Sequence, residues 1–160
     1  MVNFDPQLSL NDQDIDNLVK WGFNFMRLGV MWEAVERTKG VFNMTYLEEI
    51  NKLINKLGEK GIYTLVDAHQ DVFARRTCGE GVPDFYATND SLKHHCTGVI
   101  LPWMFYLFGL CKPMALYNFR YDENGNPLIE DCVKNNFAVY YSSPEVNSAF
   151  DNLYTNKDGL

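Results

Sequence analysis

Apolar positions recur at helical spacing twice early in the chain, and each recurrence is followed by a short apolar run. In "SLNDQDIDNLVKWGF", Ile15, Leu18 and Val19 share one helical face. Ser9 and Asp12 stand at capping-box spacing, and Gly22 supplies the stop. The run that follows, "FNFMRLGVMW", is short and aromatic-rich, bounded by Gly22 and Glu33, which predicts a buried strand. The alternation then repeats. Leu47, Ile50, Leu53, Ile54 and Leu57 form a second stripe, with Thr45 and Glu48 at capping-box spacing and Gly61 at the end. "IYTLVDA" lacks clean alternation, which predicts a strand buried on both faces, as in a parallel sheet covered by helices. Helix, strand, helix, strand with short connections predicts an α/β protein of βα-repeat type with the two strands as parallel neighbours.

From Asp71 the repeat stops. About 80 residues rich in Gly, Pro, Asn and aromatics follow, far beyond the few residues of an ordinary βα connection. "NFRYDENGNPLIED" predicts a small hairpin around Asn124-Gly125, and "SSPEVNSAFDNLYTN" a helix with Ser143 as N-cap and Pro144 at its first position. A closed (β/α)8 barrel takes about 250 residues and eight strands, so two strong strands predict part of such a domain.

Composition supports a packed core: 46% of residues are hydrophobic and 14% aromatic, unlike a disordered chain. The formal charge of -7 is scattered, and no basic stripe interleaves with the aromatics, so nucleic acid is excluded as a partner. The apolar run at 99–110, "VILPWMFYLFGL", is too short for the ~20 residues of a membrane span and contains Pro102, and so predicts a hydrophobic wall. The residues after Met1 lack the pattern of a secretory signal, which leaves a cytosolic protein or a start that lies upstream. Cys78, Cys96, Cys111 and Cys132 are spaced too widely for paired zinc-site elements, leaving two disulfides or four buried thiols. Sequons at Asn43-Met44-Thr45 and Asn89-Asp90-Ser91 tilt the choice to disulfides and an oxidising compartment, and make Asn43 and Asn89 glycosylation candidates.

The chemistry concentrates where the second strand ends, in "VDAHQD". Parallel βα folds gather their ligand sites at the C-terminal strand ends, and alternation puts Asp67 and His69 on one side with Ala68 facing away. Arg27, Met31 and Trp32 come from the end of the first strand. Two readings compete: a ligand site, or a hydrogen-bonded pair holding the long loop, with Arg27 offsetting a buried carboxylate. A metal is disfavoured because no second His-rich element supports it, His94-His95 lying in a polar loop. No GxSxG elbow is present, and Cys78 has no evident base.

The stretch "WGFNFMRLGVMWEAVERTKGVFNMTYLEEINKLINKLGEKGIYTLVDAHQDVFARRTCGEGVPDF" resembles the N-terminal region of glycoside hydrolase family 5, within it the endoglycoceramidase group. "RLGVMWEAVE", "DAHQDVF", "CGEGVPD" and the distal "YYSSPEVNSAFDNLYTN" carry the likeness. It implies a partial (β/α)8 barrel over 1–160, comprising helix 1, strands 2 and 3 and the helix between them. A long irregular insertion at 71–142 and the start of the next helix complete it. It implies a retaining enzyme with no cofactor or metal that cleaves the β-glycosidic bond between oligosaccharide and ceramide in glycosphingolipids, working at a membrane surface or micelle. The implied location is secreted, lysosomal or within the endomembrane lumen. Cellulase-like and glucosylceramide-cleaving relatives share the barrel, and a catalytically inactive carbohydrate- or lipid-binding protein is the competing class. By the resemblance Asp67 and His69 bind the sugar beside the scissile bond, and Arg27 orients the nucleophile carboxylate and keeps it ionised. Trp32 is a candidate sugar platform, with a core role weighed above it. The family's acid/base and nucleophile glutamates belong to later strands. Glu80 lacks the Asn-Glu-Pro context and Glu145 begins a helix, so neither fills those roles.

Overall fold

The computed structural model describes residues 8–93 and 111–156. The chain divides into two compact units, one running to His69 and one from Gln70 onward. The predicted apolar wall at 99–110, the pair His94-His95 and Cys96 lie outside the described residues. No helix among the described residues is long and apolar enough to cross a membrane.

The first unit begins with helix α1 (Asp12–Lys20). Its cap lies two residues later than the Ser9 and Asp12 spacing predicts. Asn11 Oδ1 accepts from the Asp14 amide at 3.0 Å, and Asp14 Oδ2 accepts from the Asn11 amide at 3.0 Å. Asn is itself a strong cap, and an Asp at the third position closes the box as a Glu would. Strand β1 (Phe25–Gly29) follows. It pairs in parallel with β4 (Tyr63–Asp67), in register from Phe25 against Tyr63 to Gly29 against Asp67. The parallel neighbours expected from the repeat are therefore present.

β1 stops short of Trp32, which opens a single helical turn, α2 (Trp32–Val35). A small antiparallel hairpin, β2 (Glu36–Thr38) and β3 (Val41–Phe42), comes next. The buried Glu36 carboxylate organises it, accepting from the Gly40 amide and from the Trp32 indole, each at 2.7 Å. Strands this short carry no periodic signal. Helix α3 (Met44–Glu59) is capped by Asn43, whose Oδ1 accepts from the Tyr46 amide at 3.1 Å, two residues before the expected Thr45.

One face of the β1–β4 pair is covered. Ile15, Leu53, Leu57 and Ile62 form a core against which Met26 and Leu28 pack, and Val30, Tyr46 and Ile50 form a second. Residues opposite one another in a parallel pair share a face. The register therefore puts Phe25 and Arg27 beside Tyr63 and Leu65 on the other face, all exposed. The expectation that β4 is buried on both sides therefore does not hold: Tyr63 and Leu65 are exposed on one side, and on the helix side Thr64 is half-buried and Val66 exposed.

The second unit is held by turns. Between Asp71 and Val82 the chain folds back on itself: the Glu80 amide donates to the Asp71 carbonyl at 2.8 Å and the Val82 amide to the Phe73 carbonyl at 3.0 Å. Val72, Phe73 and Cys78 all have positive φ, at 54°, 79° and 61°. For a β-branched residue such as Val72 that conformation persists only where the surroundings impose it. Here Val72 and Phe73 are fully buried, and Thr77 Oγ1 donates to the Val72 carbonyl at 2.6 Å. Short 3₁₀ segments at Arg75–Thr77, Asp84–Tyr86, Met114–Tyr117 and Phe137–Ser142 connect to a short α4 (Ile129–Cys132) and to α5 (Pro144–Tyr154). α5 starts as its sequence predicts, with Ser143 accepting from the Val146 amide at 3.2 Å and Pro144 in the first turn. The turn expected at Asn124-Gly125 is also formed, closed by the Asp122 amide on the Asn126 carbonyl at 2.8 Å and a bridge between Tyr121 and Pro127.

The core of this unit gathers Val72, Met114, Phe119, Tyr140 and Val146, with Tyr117 stacked on Phe119 at 5.5 Å. Cys78 and Cys132 are joined by a disulfide across a separation of 54 residues. Closing a loop of that length stabilises a fold by about 4 kcal/mol in the chain-entropy view. Cys111 is disulfide-bonded as well.

Candidate functional site

Arg27, Asp67 and His69 meet at the C-terminal end of the β1–β4 pair. Arg27 faces Leu65 across the register and Asp67 faces Gly29, which has no side chain to stand beside the carboxylate. The guanidinium reaches diagonally along the sheet, and Arg27 Nη2 lies 2.7 Å from Asp67 Oδ2. The Asp67 carbonyl accepts from both the Val30 amide and the His69 amide, each at 2.8 Å. The first bond ties the strand ends together. The second turns the chain so that His69 comes back over Asp67, with Nδ1 at 3.0 Å from Oδ2.

The tautomer follows from these contacts. Arg27 Nη2 also lies 3.3 Å from His69 Nδ1. A guanidinium only donates and a carboxylate only accepts, so Nδ1 cannot serve both neighbours at once. The shorter contact is to the carboxylate, so Nδ1–H donates to Asp67, and in a neutral ring Nε2 is then the acceptor. Asp67 thus orients the imidazole as carboxylates orient histidines in many sites. The side chains of Asp67 and His69 are 22% and 24% exposed, against 61% for Arg27. Carboxylate and imidazole are therefore partly dry while the guanidinium remains open to water. Such a group can pair with hydroxyls, and Arg27 can face a second carboxylate. The alternative weighed from sequence, Arg27 offsetting a partly buried carboxylate, describes the same contact.

The other candidates fall elsewhere. Trp32 is half-buried in α2 rather than at a strand end, with its indole N–H on Glu36. Glu36 was not legible as part of this arrangement; the spacing of Trp and Glu four apart at a helical turn is the signal that it leaves. Asp71 belongs to the second unit, where Oδ1 accepts from the Tyr141 hydroxyl at 3.2 Å and that hydroxyl accepts from the Val72 amide at 3.0 Å. The cluster that the strand runs into is thus split between two units. Cys78 lies in a disulfide, which removes it as a nucleophile. Glu145 is buried in the first turn of α5 and accepts from the Met114 amide with both oxygens at 3.2 Å, a structural position. Glu80 is exposed. Asn43 caps α3, and Asn89 sits exposed with Oδ1 accepting from Arg76 Nη2 at 3.1 Å.

Residues 4–98 match the family model described as cellulase (glycosyl hydrolase family 5). The chain belongs to glycosyl hydrolase family 5. It is 34% identical over 154 residues to an endoglycoceramidase of Hydra vulgaris, covering 95% of this chain and 26% of that protein. To an endoglycoceramidase of Cyanea nozakii it is 36% identical over 155 residues, covering 95% and 27%. A glucosylceramidase of Cryptococcus neoformans var. grubii aligns over 73 residues at 34% identity, covering 45% of this chain. Among solved structures, endo-glycoceramidase II from Rhodococcus sp., in complex with a five-membered iminocyclitol, superposes with a TM-score of 0.57 at 22% identity, covering 92% of this chain and 26% of that one. An endogalactoceramidase superposes at 0.60 with 20% identity, covering 94% and 28%. The chain therefore spans about a quarter of the length of the curated endoglycoceramidases it matches along its whole extent. The family fold is a (β/α)8 barrel, and the parallel β1–β4 pair with α1 and α3 on one face is part of it.

Proposed function

We propose that this chain is part of a retaining glycoside hydrolase that cleaves the β-glycosidic bond between oligosaccharide and ceramide in glycosphingolipids. The observation that carries the reading is the extent of the likeness: the endoglycoceramidases of Hydra vulgaris and Cyanea nozakii align with 95% of the chain, through the irregular second unit, whereas an endoglycoceramidase I of Rhodococcus hoagii aligns with 48% and the glucosylceramidase of C. neoformans with 45%. Loops distinguish activities built on one barrel, so a match that runs through the loops says more than one limited to the strands.

In this reading the acid/base and nucleophile glutamates are supplied from outside these 160 residues. In retaining glycosidases the two carboxyl groups stand about 5 to 5.5 Å apart and a covalent glycosyl-enzyme forms and is hydrolysed. The residues in hand do the work around them. Asp67 and His69 hydrogen-bond hydroxyls of the sugar beside the scissile bond, with His69 Nε2 as an acceptor fixed by the carboxylate behind it. Arg27, anchored by Asp67, turns its exposed edge to the nucleophile carboxylate and keeps it ionised. The chemistry needs no metal or cofactor. The segment 71–142 is an insertion after the third barrel strand, and the substrate is met at a membrane surface or micelle. The Cys78–Cys132 bridge supports a secreted or lumenal setting.

The test uses the complete gene product that carries this segment, given a glycosphingolipid in detergent micelles. Release of the intact oligosaccharide with retained anomeric configuration, followed by NMR, is the expected result. Binding of the glycolipid without any hydrolysis would instead establish the catalytically inactive class.

A further inference from the structure

The two sequons differ in their surroundings, and the difference points to one of them. We infer that Asn89 carries an N-linked oligosaccharide and that Asn43 does not, an inference that rests on the secretory setting proposed above. Asn89 lies on an exposed turn with Thr88 and Asp90, closed by the Leu92 amide on the Thr88 carbonyl at 3.0 Å. Its side chain is held by its oxygen. Arg76 is anchored through Nη1 to the Ala87 carbonyl at 2.8 Å and donates through Nη2 to Asn89 Oδ1 at 3.1 Å. That bond orients the amide and leaves Nδ2, the atom a glycan occupies, with no hydrogen bond among the described residues. A sugar there extends into water and leaves the Arg76 contact in place. Asn43 is half-buried between β3 and α3, with its own amide on the Val35 carbonyl at 2.7 Å and its oxygen capping the helix. A branched oligosaccharide on that side chain must fit against the hairpin.

The third residue of the triplet fixes when the transfer happens. Ser91 is buried, its hydroxyl donates to the Tyr86 carbonyl at 2.8 Å, and its own carbonyl accepts from Ser148 and Asn152. A transferase that reads Asn89 and the Ser91 hydroxyl together must act before Ser91 is enclosed, that is, before α5 docks. Asn43 and Thr45 are open at that stage too, so the two sequons are told apart by which modified side chain can still take its folded place, the exposed Asn89 or the half-buried Asn43. The donor is a polyprenyl-diphosphate-linked oligosaccharide. The bond from C1 of its first sugar to the diphosphate oxygen breaks, a bond from Asn89 Nδ2 to C1 forms, the lipid diphosphate leaves, and the amide nitrogen releases one proton.

The full-length protein, produced in animal cells, is digested before and after peptide-N-glycosidase treatment and mapped by mass spectrometry together with its disulfides. The expected result is Asn89 converted to Asp by the enzyme and an unmodified Asn43. Asn89→Gln should abolish the gel shift on deglycosylation, Asn43→Gln should leave it unchanged, and Ser91→Thr should retain it. An unmodified Asn89 in protein whose Cys78–Cys132 bridge is formed overturns the inference and leaves the secretory setting standing. If the cysteines are found reduced as well, both fall. A glycan on Asn43 also overturns it, because the argument from burial would then be wrong.

Discussion

His69 meets the Asp67 carboxylate and a backbone turn and belongs to neither apolar cluster of the first unit, so its removal tests the site without disturbing that core. In the full-length enzyme His69→Ala should lower turnover of a glycolipid by well over tenfold, a loss of about 1.4 kcal/mol or more of transition-state stabilisation. Near-normal kinetics would remove His69 from the site. A second residue, Asp131, answers to pH. It is buried, and its carboxylate accepts from the Arg120 guanidinium at 2.9 and 3.0 Å, from Lys134 Nζ at 2.6 Å and from the Arg120 amide at 2.8 Å. These donors, the Arg120 side chain foremost, hold its carboxyl well below the usual carboxylate range. The folded state thus prefers ionised Asp131 more than the unfolded chain does, with its ordinary value of about 3.9. The stabilisation is complete above that value and is lost as pH falls toward the folded one. The gap in urea midpoint between wild type and Asp131→Asn should therefore narrow from about pH 5 downward. A gap independent of pH through that range would rule out the linkage.

Among the elements, the loop 71–82 is the most tightly specified. Gly79 approaches the Asp71 and Val72 backbone so closely that an added methyl would run into the Asp71 carbonyl oxygen and meet the Val72 carbonyl at 2.6 Å. Backbone cannot swing aside as a flexible side chain can. Gly79→Ala should destabilise by about 2 to 4 kcal/mol, visible as a lower melting temperature, in the range of mutations that force a special backbone position. A melt within a degree or so of wild type would show that the loop yields. Nothing in the sequence announces this loop, since Val72 and Phe73 adopt conformations that their residue types disfavour and that only tertiary packing imposes. The helices and paired strands were legible, because stripes such as Leu53 and Leu57 need a partner face to cover. The caps of α1 and α3 were misplaced by two residues, since Asn11 and Asn43 compete with nearby Ser and Thr and spacing alone does not choose. Asp67 and His69 were legible from alternation and from their place at a strand end. That Gly29 clears the way for Arg27 to reach Asp67 follows only from the register.

At the scale of the whole chain the uncovered sheet face decides behaviour. Phe25, Tyr63 and Leu65 are 57%, 77% and 51% exposed on the face of the β1–β4 pair opposite α3. Neighbouring apolar side chains of this size form the sort of contiguous patch that soluble proteins cover or use. A parallel pair also leaves unpaired backbone donors and acceptors along its outer edges, and parallel sheets are normally covered on both faces. A two-stranded unit owes its stability to what packs on it, and here α1 and α3 cover one face while Phe25, Tyr63 and Leu65 stay bare on the other. The 160 residues expressed alone should therefore aggregate or behave as a molten state: dye-binding, with weak near-ultraviolet dichroism and no cooperative melt. The same residues within the full-length protein should melt cooperatively, because the remaining strands of the barrel would bury Phe25 and Leu65. Replacing Phe25 and Leu65 by Thr separates the exposed patch from any defect in the α1–α3 core: it should raise the solubility of the isolated chain and destabilise the full-length protein. A sharp melt with dispersed amide resonances from the isolated chain would show that this face needs no cover.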